Sequence, residues 1–129
     1  GVYFKGATYD ILSFRKMPVG VSGGISLSGT IAGFIGALVL GIATGYSYHF
    51  STTVIGWITI AGFTGMLMDS ILGSWLQVKY KNADGILSDD ALTGSKKVHG
   101  FSWCSNNTVN LISNIAITSL FFYILHQIS

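Results

Sequence analysis

Residues 62–77 read GFTGMLMDSILGSWLQ, an apolar segment that carries a single carboxylate, Asp69. Small or polar residues recur along it at steps of three or four positions, which places them on one face of an α-helix. The residues that share this face are Gly62, Gly65, Asp69, Gly73 and Gln77. A carboxylate on an apolar helix needs a polar cavity, a cation or a hydrogen-bond donor beside it. The segment therefore predicts a helix whose polar face is covered by other parts of the chain.

The distribution of charge predicts a membrane protein. Half of the 129 residues are hydrophobic and only 9% are charged, against about 25% in an ordinary soluble domain. No Asp, Glu, Lys or Arg lies between Lys16 and Asp69, and none follows Lys97. The alternative, a soluble bundle of three helices, would need a more highly charged surface. We therefore predict an all-α, polytopic integral membrane protein with three transmembrane helices in this chain.

The apolar segments divide the chain into a leading region and a membrane domain. A helix that crosses the hydrocarbon core needs about 20 residues. Residues 1–25 form a mixed segment that ends in a glycine-rich connector, and residues 26–129 form the membrane domain. The predicted spans within that domain cover about 26–48, 53–77 and 107–128, with a hydrophilic loop at 78–106.

The basic residues predict the orientation in the membrane. All seven Lys and Arg residues lie within 5–16 or 79–97, and a chain with three spans places those two regions on one side. Cytoplasmic segments carry the excess of Lys and Arg. We expect a multi-pass protein with the N-terminus and the 78–106 loop in the cytoplasm and the C-terminus on the opposite side.

Asp69 is the first candidate for chemistry. It lies about 12 Å inside the cytoplasmic end of its span, at 1.5 Å per helical residue. Intramembrane carboxylates usually mark functional sites, although a hydrogen-bonded Asp that only locks helix packing is the alternative. Gln77 is placed to line the entrance of the same cavity, while Ser70 points about 100° away and favours a packing role.

A cluster of amides at the start of the third span is the second candidate. Asn106, Asn107 and Asn110 give this helix a broad polar face. Buried amides must be hydrogen-bonded, so one interpretation is a helix cap with interhelical hydrogen bonds. The other is an amide lining for a cation, a phosphate or a hydroxyl group.

The glycine-rich connector is the third candidate. Residues 18–30 read PVGVSGGISLSGT, and glycines followed by hydroxyl residues at a helix start offer free backbone N–H groups to a phosphate. The segment has no GKS or GKT and is not a Walker A motif, and a plain flexible connector is the alternative.

The predicted topology brings the three clusters to the cytoplasmic ends of their helices, near Lys96 and Lys97. Together they favour a magnesium–phosphate site, since they supply a carboxylate, amides, a glycine-rich helix start and cations. Mg²⁺ takes one or two carboxylates plus phosphate oxygens. His99 is better interpreted as a loop residue than as a metal ligand, since it has no second His or Cys at ligand spacing.

Three segments carry a resemblance to a known family: PVGVSGGISLSGTIAG, GFTGMLMDSILGSWLQ and KKVHGFSWCSNNTVNLIS. In order and spacing they resemble the C-terminal signatures of the domain of unknown function ninety-two family, the transmembrane-protein-nineteen-like membrane proteins. Members of this family are longer and carry an acidic motif upstream, so the chain looks like the C-terminal half of such a protein. Ser105 stands where the family often has Asp, which weakens a metal assignment at that position.

The resemblance implies a function that the residues alone do not. Most of the family has no assigned activity, but a plant branch is a phytyl-phosphate kinase, and the glycine-rich helix start is similar to that of isoprenoid-alcohol kinases that use CTP. An isoprenoid-phosphate kinase is therefore implied. The residues implied by this resemblance are Gly23, Gly24, Ser26, Gly29, Thr30, Asp69, Ser70, Gln77, Asn106, Asn107 and Asn110.

Three hypotheses follow for function. The first is a phosphotransferase with Asp69 as the catalytic residue and Mg²⁺ ligand, CTP or ATP as co-substrate and an isoprenoid monophosphate as acceptor. Lys96 and Lys97 join the implied residues as its substrate-binding set. The second is a small-solute or ion transporter with Asp69 as the coupling site, and the third is a non-catalytic assembly protein. The expected partners are the lipid bilayer and a second copy of the chain or a missing N-terminal half, with no nucleic acid.

Overall fold

The computed structural model describes residues 6–128, and for Ile128 it describes the backbone alone. The first five residues of the predicted leading region lie outside this range. Three long helices dominate the described part of the chain: α1 (Leu27–Tyr48), α2 (Thr52–Trp75) and α3 (Asn106–Ile128). Each is long and apolar enough to cross a membrane. The predicted fold of three transmembrane helices is confirmed, and two small sheets accompany the helices.

The helix ends follow from local hydrogen bonding. Ser26 precedes α1 and its Oγ accepts a hydrogen bond from the backbone N–H of Gly29 at 3.1 Å, as a capping residue does. His49 ends α1 in the left-handed conformation, with φ of 55°. Ser51 caps α2 in the same way as Ser26 caps α1. The helix α2 ends at Trp75, so Gln77 lies beyond it, and the prediction that Gln77 continues the helical face is wrong.

Small residues allow α1 and α2 to approach closely in antiparallel orientation. A Cβ atom added at Gly41 would lie 2.5 Å from Thr59 Oγ1. Gly33 lies against Met66 and Gly45 against Ile55 in the same way. Close approach through glycine is a common way for membrane helices to pack, since van der Waals contact drives their association.

The opposite side of α2 packs against α3, also in antiparallel orientation. Gly65 faces Ile117, and the rings of Trp57 and Phe121 meet edge to face with centroids 6.1 Å apart. The residues of α3 that are buried against this interface recur every four positions: Val109, Ser113, Ile117 and Phe121. The helix α2 is therefore the central element of the bundle.

Two three-stranded antiparallel sheets lie at one end of the bundle, where α1 and α3 begin and α2 ends. We name this the loop end. The first sheet has the strand order β2-β1-β3 and the second β5-β4-β6. The strands are β1 (Thr8–Asp10), β2 (Lys16–Met17), β3 (Gly24–Ile25), β4 (Lys79–Lys81), β5 (Leu87–Ser88) and β6 (Lys96–His99). The leading region and the hydrophilic loop that the sequence predicts are therefore each organised as a small sheet.

Large apolar side chains cover the outer faces of the helices. Leu40 of α1 is 67% exposed and Phe122 of α3 is 73% exposed. In a bilayer these side chains face acyl chains instead of water, so their exposure is compatible with a stable fold.

Candidate functional site

A polar cavity of about 250 Å³ lies at the loop end of the bundle. It is bounded by the glycine-rich connector, the start of α1, the last turns of α2 and the start of α3. The residues that line it are Thr8, Val19, Gly20, Val21, Ser22, Gly23, Gly24, Ser26, Asp69, Ser70, Gln77 and Asn106. All three sequence clusters thus contribute side chains or backbone to one cavity, which we name the Asp69 cavity.

Asp69 is held by two hydrogen-bond donors from α3. Ser113 Oγ lies 3.1 Å from Oδ1 of the carboxylate and donates to it. With its nitrogen turned toward the carboxylate, the Asn110 amide donates to Oδ1 at 2.7 Å and to Oδ2 at 3.1 Å. The opposite orientation would set the amide oxygen against the carboxylate oxygens, so the network determines the orientation. Asn110 therefore binds Asp69 and joins two helices.

Gln77 contributes a buried oxygen that has no partner among the described residues. Its side chain is only 2% exposed, and its Oε1 accepts no hydrogen bond. Leaving a buried acceptor unsatisfied costs about 1–3 kcal/mol, so such an atom in a cavity wall points to a ligand that carries a donor or a cation. The position of Gln77 just after α2 makes it one of the residues that line the Asp69 cavity.

The glycines of the connector allow it to lie directly on the end of α2. Gly23 has a φ of +85°, and a Cβ atom there would lie 2.5 Å from the Cα of Ser74. The connector also lies on Gly73 of α2, where an added Cβ atom would lie 3.2 Å from the Gly23 nitrogen. The close approach of the two backbones therefore explains why residue 23 is a glycine, independently of any ligand in the cavity.

A carboxylate from the long loop holds the connector in place. Asp89 Oδ2 accepts a hydrogen bond from the backbone N–H of Ser22 at 2.8 Å. Its other oxygen, Oδ1, is buried and has no partner among the described residues. Asp89 also lines a smaller neighbouring cavity of about 200 Å³ with Gln77 and Asn107. Asp89 is not recognisable as a site residue from the sequence, because nothing in a loop of mixed charge distinguishes it from its neighbour Asp90.

A buried lysine connects the two sheets to the end of α2. Lys79 is only 5% exposed, and its Nζ donates to the backbone oxygen of Ser74 at 3.4 Å. Burial lowers the pKa of Lys79, and the charges of Asp10 and Asp89 oppose part of that shift. Ser74 Oγ in turn donates to Asp10 Oδ2 at 2.6 Å.

Asp10 keeps its charge in this network. Burial by itself would raise the pKa of Asp10, but hydrogen bonds from Ser74 and Ser13 outweigh it, so the pKa lies below its ordinary value. The sequence analysis missed Asp10, Ser74 and Lys79, since their proximity arises from the fold and from no local motif.

Six of the predicted site residues do not line the Asp69 cavity. The Gly29 N–H is used by the Ser26 cap, and Thr30 lines a separate apolar cavity beside α1. Pairing of β6 with β4 holds Lys96 and Lys97 on an exposed strand, where Lys97 Nζ donates to Ser102 Oγ at 2.8 Å. Asn107 faces the neighbouring cavity and Asn110 faces Asp69.

The oxygen atoms in the Asp69 cavity suit Mg²⁺ better than a softer metal. No group of three or more His, Cys, Asp or Glu side chains in the described part of the chain could hold a metal. Asp69 and the unsatisfied Gln77 oxygen are hard donors, and Mg²⁺ commonly takes its remaining ligands from water and substrate phosphates. These residues fit a magnesium ion that arrives with a phosphate ligand.

A comparison with protein families identifies the chain. The family model described as "Integral membrane protein DUF92" matches residues 1–118. The chain belongs to the DUF92 family. No solved structure matches it. The resemblance to the domain of unknown function ninety-two is thereby confirmed, and with three candidate spans this DUF92 chain is a multi-pass membrane protein.

Proposed function

We propose that this DUF92 chain forms the phosphate-binding part of a membrane phosphotransferase that acts on an isoprenoid monophosphate. CTP or ATP would bind at the loop end, which the charge distribution predicts to be cytoplasmic. The observation that carries the proposal is the Asp69 cavity, where Asp69, the unsatisfied Gln77 oxygen and the starts of two helices meet.

Helix orientation supports an anionic ligand in this cavity. Ser26 caps α1 and Asn106 begins α3, and both line the cavity. A helix start carries a partial positive charge and unsatisfied N–H groups, which favour phosphate. Each helix end contributes about 0.3–1 kcal/mol toward a nearby anion in exposed settings.

Asp69 by itself would repel a phosphate group, so the proposal requires a cation between them. Asp69 and the Gln77 oxygen would hold Mg²⁺, which when bound supplies charge neutralisation to the transferring phosphoryl group. Asn110 and Ser113 keep the Asp69 carboxylate fixed in position through their hydrogen bonds. The chain therefore contributes mainly positioning, as in other phosphoryl transfers.

An apolar cavity beside the Asp69 cavity supports a lipid acceptor. It has a volume of about 730 Å³, and its apolar lining includes Phe14, Ile25 and Leu27. Ser26 lines both cavities. An isoprenoid chain in the apolar cavity would thus place its phosphate near Ser26. The transfer would move the terminal phosphoryl group of the nucleotide to an oxygen of the lipid phosphate, which yields a lipid diphosphate and a nucleoside diphosphate.

One observation favours a structural role for Asp69 instead. Both of its oxygens accept hydrogen bonds from α3, as in a residue that only joins helices. In that case the protein would keep its fold through Asp69 without any phosphate chemistry.

The experiment is an assay of the purified protein in proteoliposomes. Label transfer from terminally labelled CTP or ATP to geranylgeranyl or phytyl monophosphate is measured for the wild type, Asp69→Asn and Asp84→Asn. Asp84 is an exposed loop acid and serves as the matched control. We expect transfer by the wild type and the control, and a loss of at least about 100-fold in Asp69→Asn, the range for removing a key electrostatic group.

Three results would contradict the proposal in different ways. If no prenyl acceptor received label and the protein instead catalysed solute counterflow, the kinase hypothesis would be rejected and the transporter hypothesis favoured. Full activity in Asp69→Asn would remove Asp69 from the mechanism. Loss of the folded protein in Asp69→Asn would favour the helix-joining role, and Gln77→Leu would then test the cavity separately.

A further inference from the structure

A second cavity, separate from the Asp69 cavity, lies where the first sheet, the end of α2 and the second sheet meet. Its volume is about 420 Å³. Arg15 and Lys16 line it from the β1–β2 hairpin, Lys79 from β4 and His99 from β6. Asp10 is the one acid among the described residues of its lining. We name it the basic cavity.

The basic cavity carries an excess of positive charge that its own acid does not neutralise. Three basic residues, Arg15, Lys16 and Lys79, line the cavity together with the single carboxylate of Asp10. Asp10 already accepts hydrogen bonds from the backbone N–H of Ser13 at 2.7 Å and from Ser74 Oγ at 2.6 Å. Among the described residues, the Lys79 side chain donates one hydrogen bond, at 3.4 Å, which uses one of its three protons. The basic side chains of the cavity therefore retain hydrogen-bond donors and positive charge that an anion could use.

The rim of the basic cavity is apolar, and it lies beside the end of α2, a helix long and apolar enough to cross a membrane. Trp75, the last residue of α2, lines the cavity and is 63% exposed, and Leu12 of the hairpin is 50% exposed. Tryptophan is enriched at the boundary between acyl chains and headgroups. The cavity thus combines basic side chains, of which Lys79 is buried, with an exposed apolar edge.

We propose that the basic cavity binds the headgroup phosphate of an anionic phospholipid. Arg15 and Lys16 contact the phosphate oxygens from the hairpin and Lys79 does so from the base, while the acyl chains lie along Trp75 and Leu12. Arginine pairs with phosphate through two parallel hydrogen bonds, and basic pockets at membrane boundaries bind anionic headgroups. The apolar rim favours a lipid over free phosphate. The proposal does not depend on phosphoryl transfer.

Native mass spectrometry of the purified, delipidated protein tests this site. Phosphatidylglycerol and phosphatidylcholine are titrated against the wild type, Arg15→Gln/Lys16→Gln and Lys81→Gln/Lys96→Gln. The second pair removes the same charge from exposed positions on the second sheet that lie outside the basic cavity. We expect the wild type to prefer phosphatidylglycerol, the first pair to bind it about tenfold or more weakly, and the second pair to behave as the wild type does.

Any of three outcomes would overturn the assignment. Equal binding of the two lipids by the wild type would remove the preference for an anion. Equal loss in both pairs would attribute binding to overall charge. Competition by glycerol phosphate at the same concentration as the lipid would identify a site for free phosphate. Lys16→Gln alone, a mild change at an exposed position, must weaken phosphatidylglycerol binding by an intermediate amount. This single variant shows whether a folding defect causes the loss of binding in the double variant.

Discussion

Replacing Asn110 by alanine removes the amide that donates to both oxygens of Asp69, at 2.7 and 3.1 Å. Side-chain hydrogen bonds between membrane helices contribute about 0.6 kcal/mol each on average and about 1.7 at most. Two such bonds therefore predict a loss of about 1–2 kcal/mol in the free energy of unfolding. Ser113 remains as a donor to the carboxylate, so the loss stays below that of a fully unpaired buried charge.

The assay is unfolding by sodium dodecyl sulfate in mixed micelles, followed by circular dichroism. Asn114→Ala is the matched control, because Asn114 lies one turn further along α3 on its exposed face. Both variants gain the same helix propensity from alanine, so their difference isolates the contact with Asp69. A double-mutant cycle between Asp69→Ala and Asn110→Ala then gives the coupling energy directly.

The reasoning would be refuted by a coupling energy of zero within about 0.3 kcal/mol. It would also be refuted if Asn110→Ala and Asn114→Ala destabilised the protein equally. Either result would mean that the amide does not hold the carboxylate, which would leave Ser113 as the donor from α3.

Two further predictions concern the helix interface and the loop end. Gly41→Leu should destabilise the protein by about 1–3 kcal/mol through overpacking against Thr59, whereas Gly36→Leu, with nothing within 4 Å of its Cβ position, should change stability little in the same unfolding assay. The pKa of Asp10 is lower in the folded state than its ordinary value of 3.8, so its charge stabilises the fold above that pH and the contribution is lost as the pH falls through the folded pKa. The stability difference between wild type and Asp10→Asn, measured by thermal unfolding, should therefore shrink below about pH 4, and a difference that grew on acidification would contradict the network with Ser74.

The three helices could be predicted because the apolar composition that forms each of them lies within one continuous segment of the sequence. The uncharged stretch between Lys16 and Asp69 can be stabilised only by lipid or by a larger protein, and its length matches two spans. The glycines at four-residue steps in α1 indicate close packing, and Gly33, Gly41 and Gly45 do face α2. Gly36 carries the same signal in sequence and faces away, because periodicity alone does not say which side of a helix has a neighbour.

The sheets and their charges could not be predicted, because their cause lies in distant contacts. Strands of two to four residues, such as Lys16–Met17, are too short to show alternation. Lys79 looks like a solvated loop lysine in sequence, yet it is buried between two sheets that meet only in the fold. Asn110 could be assigned to a polar face but not to a partner, since its carboxylate lies 41 positions earlier in the chain.

The hydrogen bond between Ser113 and Asp69 joins residues 44 positions apart, and this separation matters for biogenesis. When α2 leaves the ribosome, α3, which shields its carboxylate, has not yet emerged beside it. An aspartate at the centre of an inserting helix costs about 2.5–3.5 kcal/mol on scales measured with the translocon, and Asp69, which lies nearer the end of α2, costs part of that amount. We therefore expect the second helix to complete its partitioning into lipid only once the third arrives, so that the two integrate into the membrane as one unit.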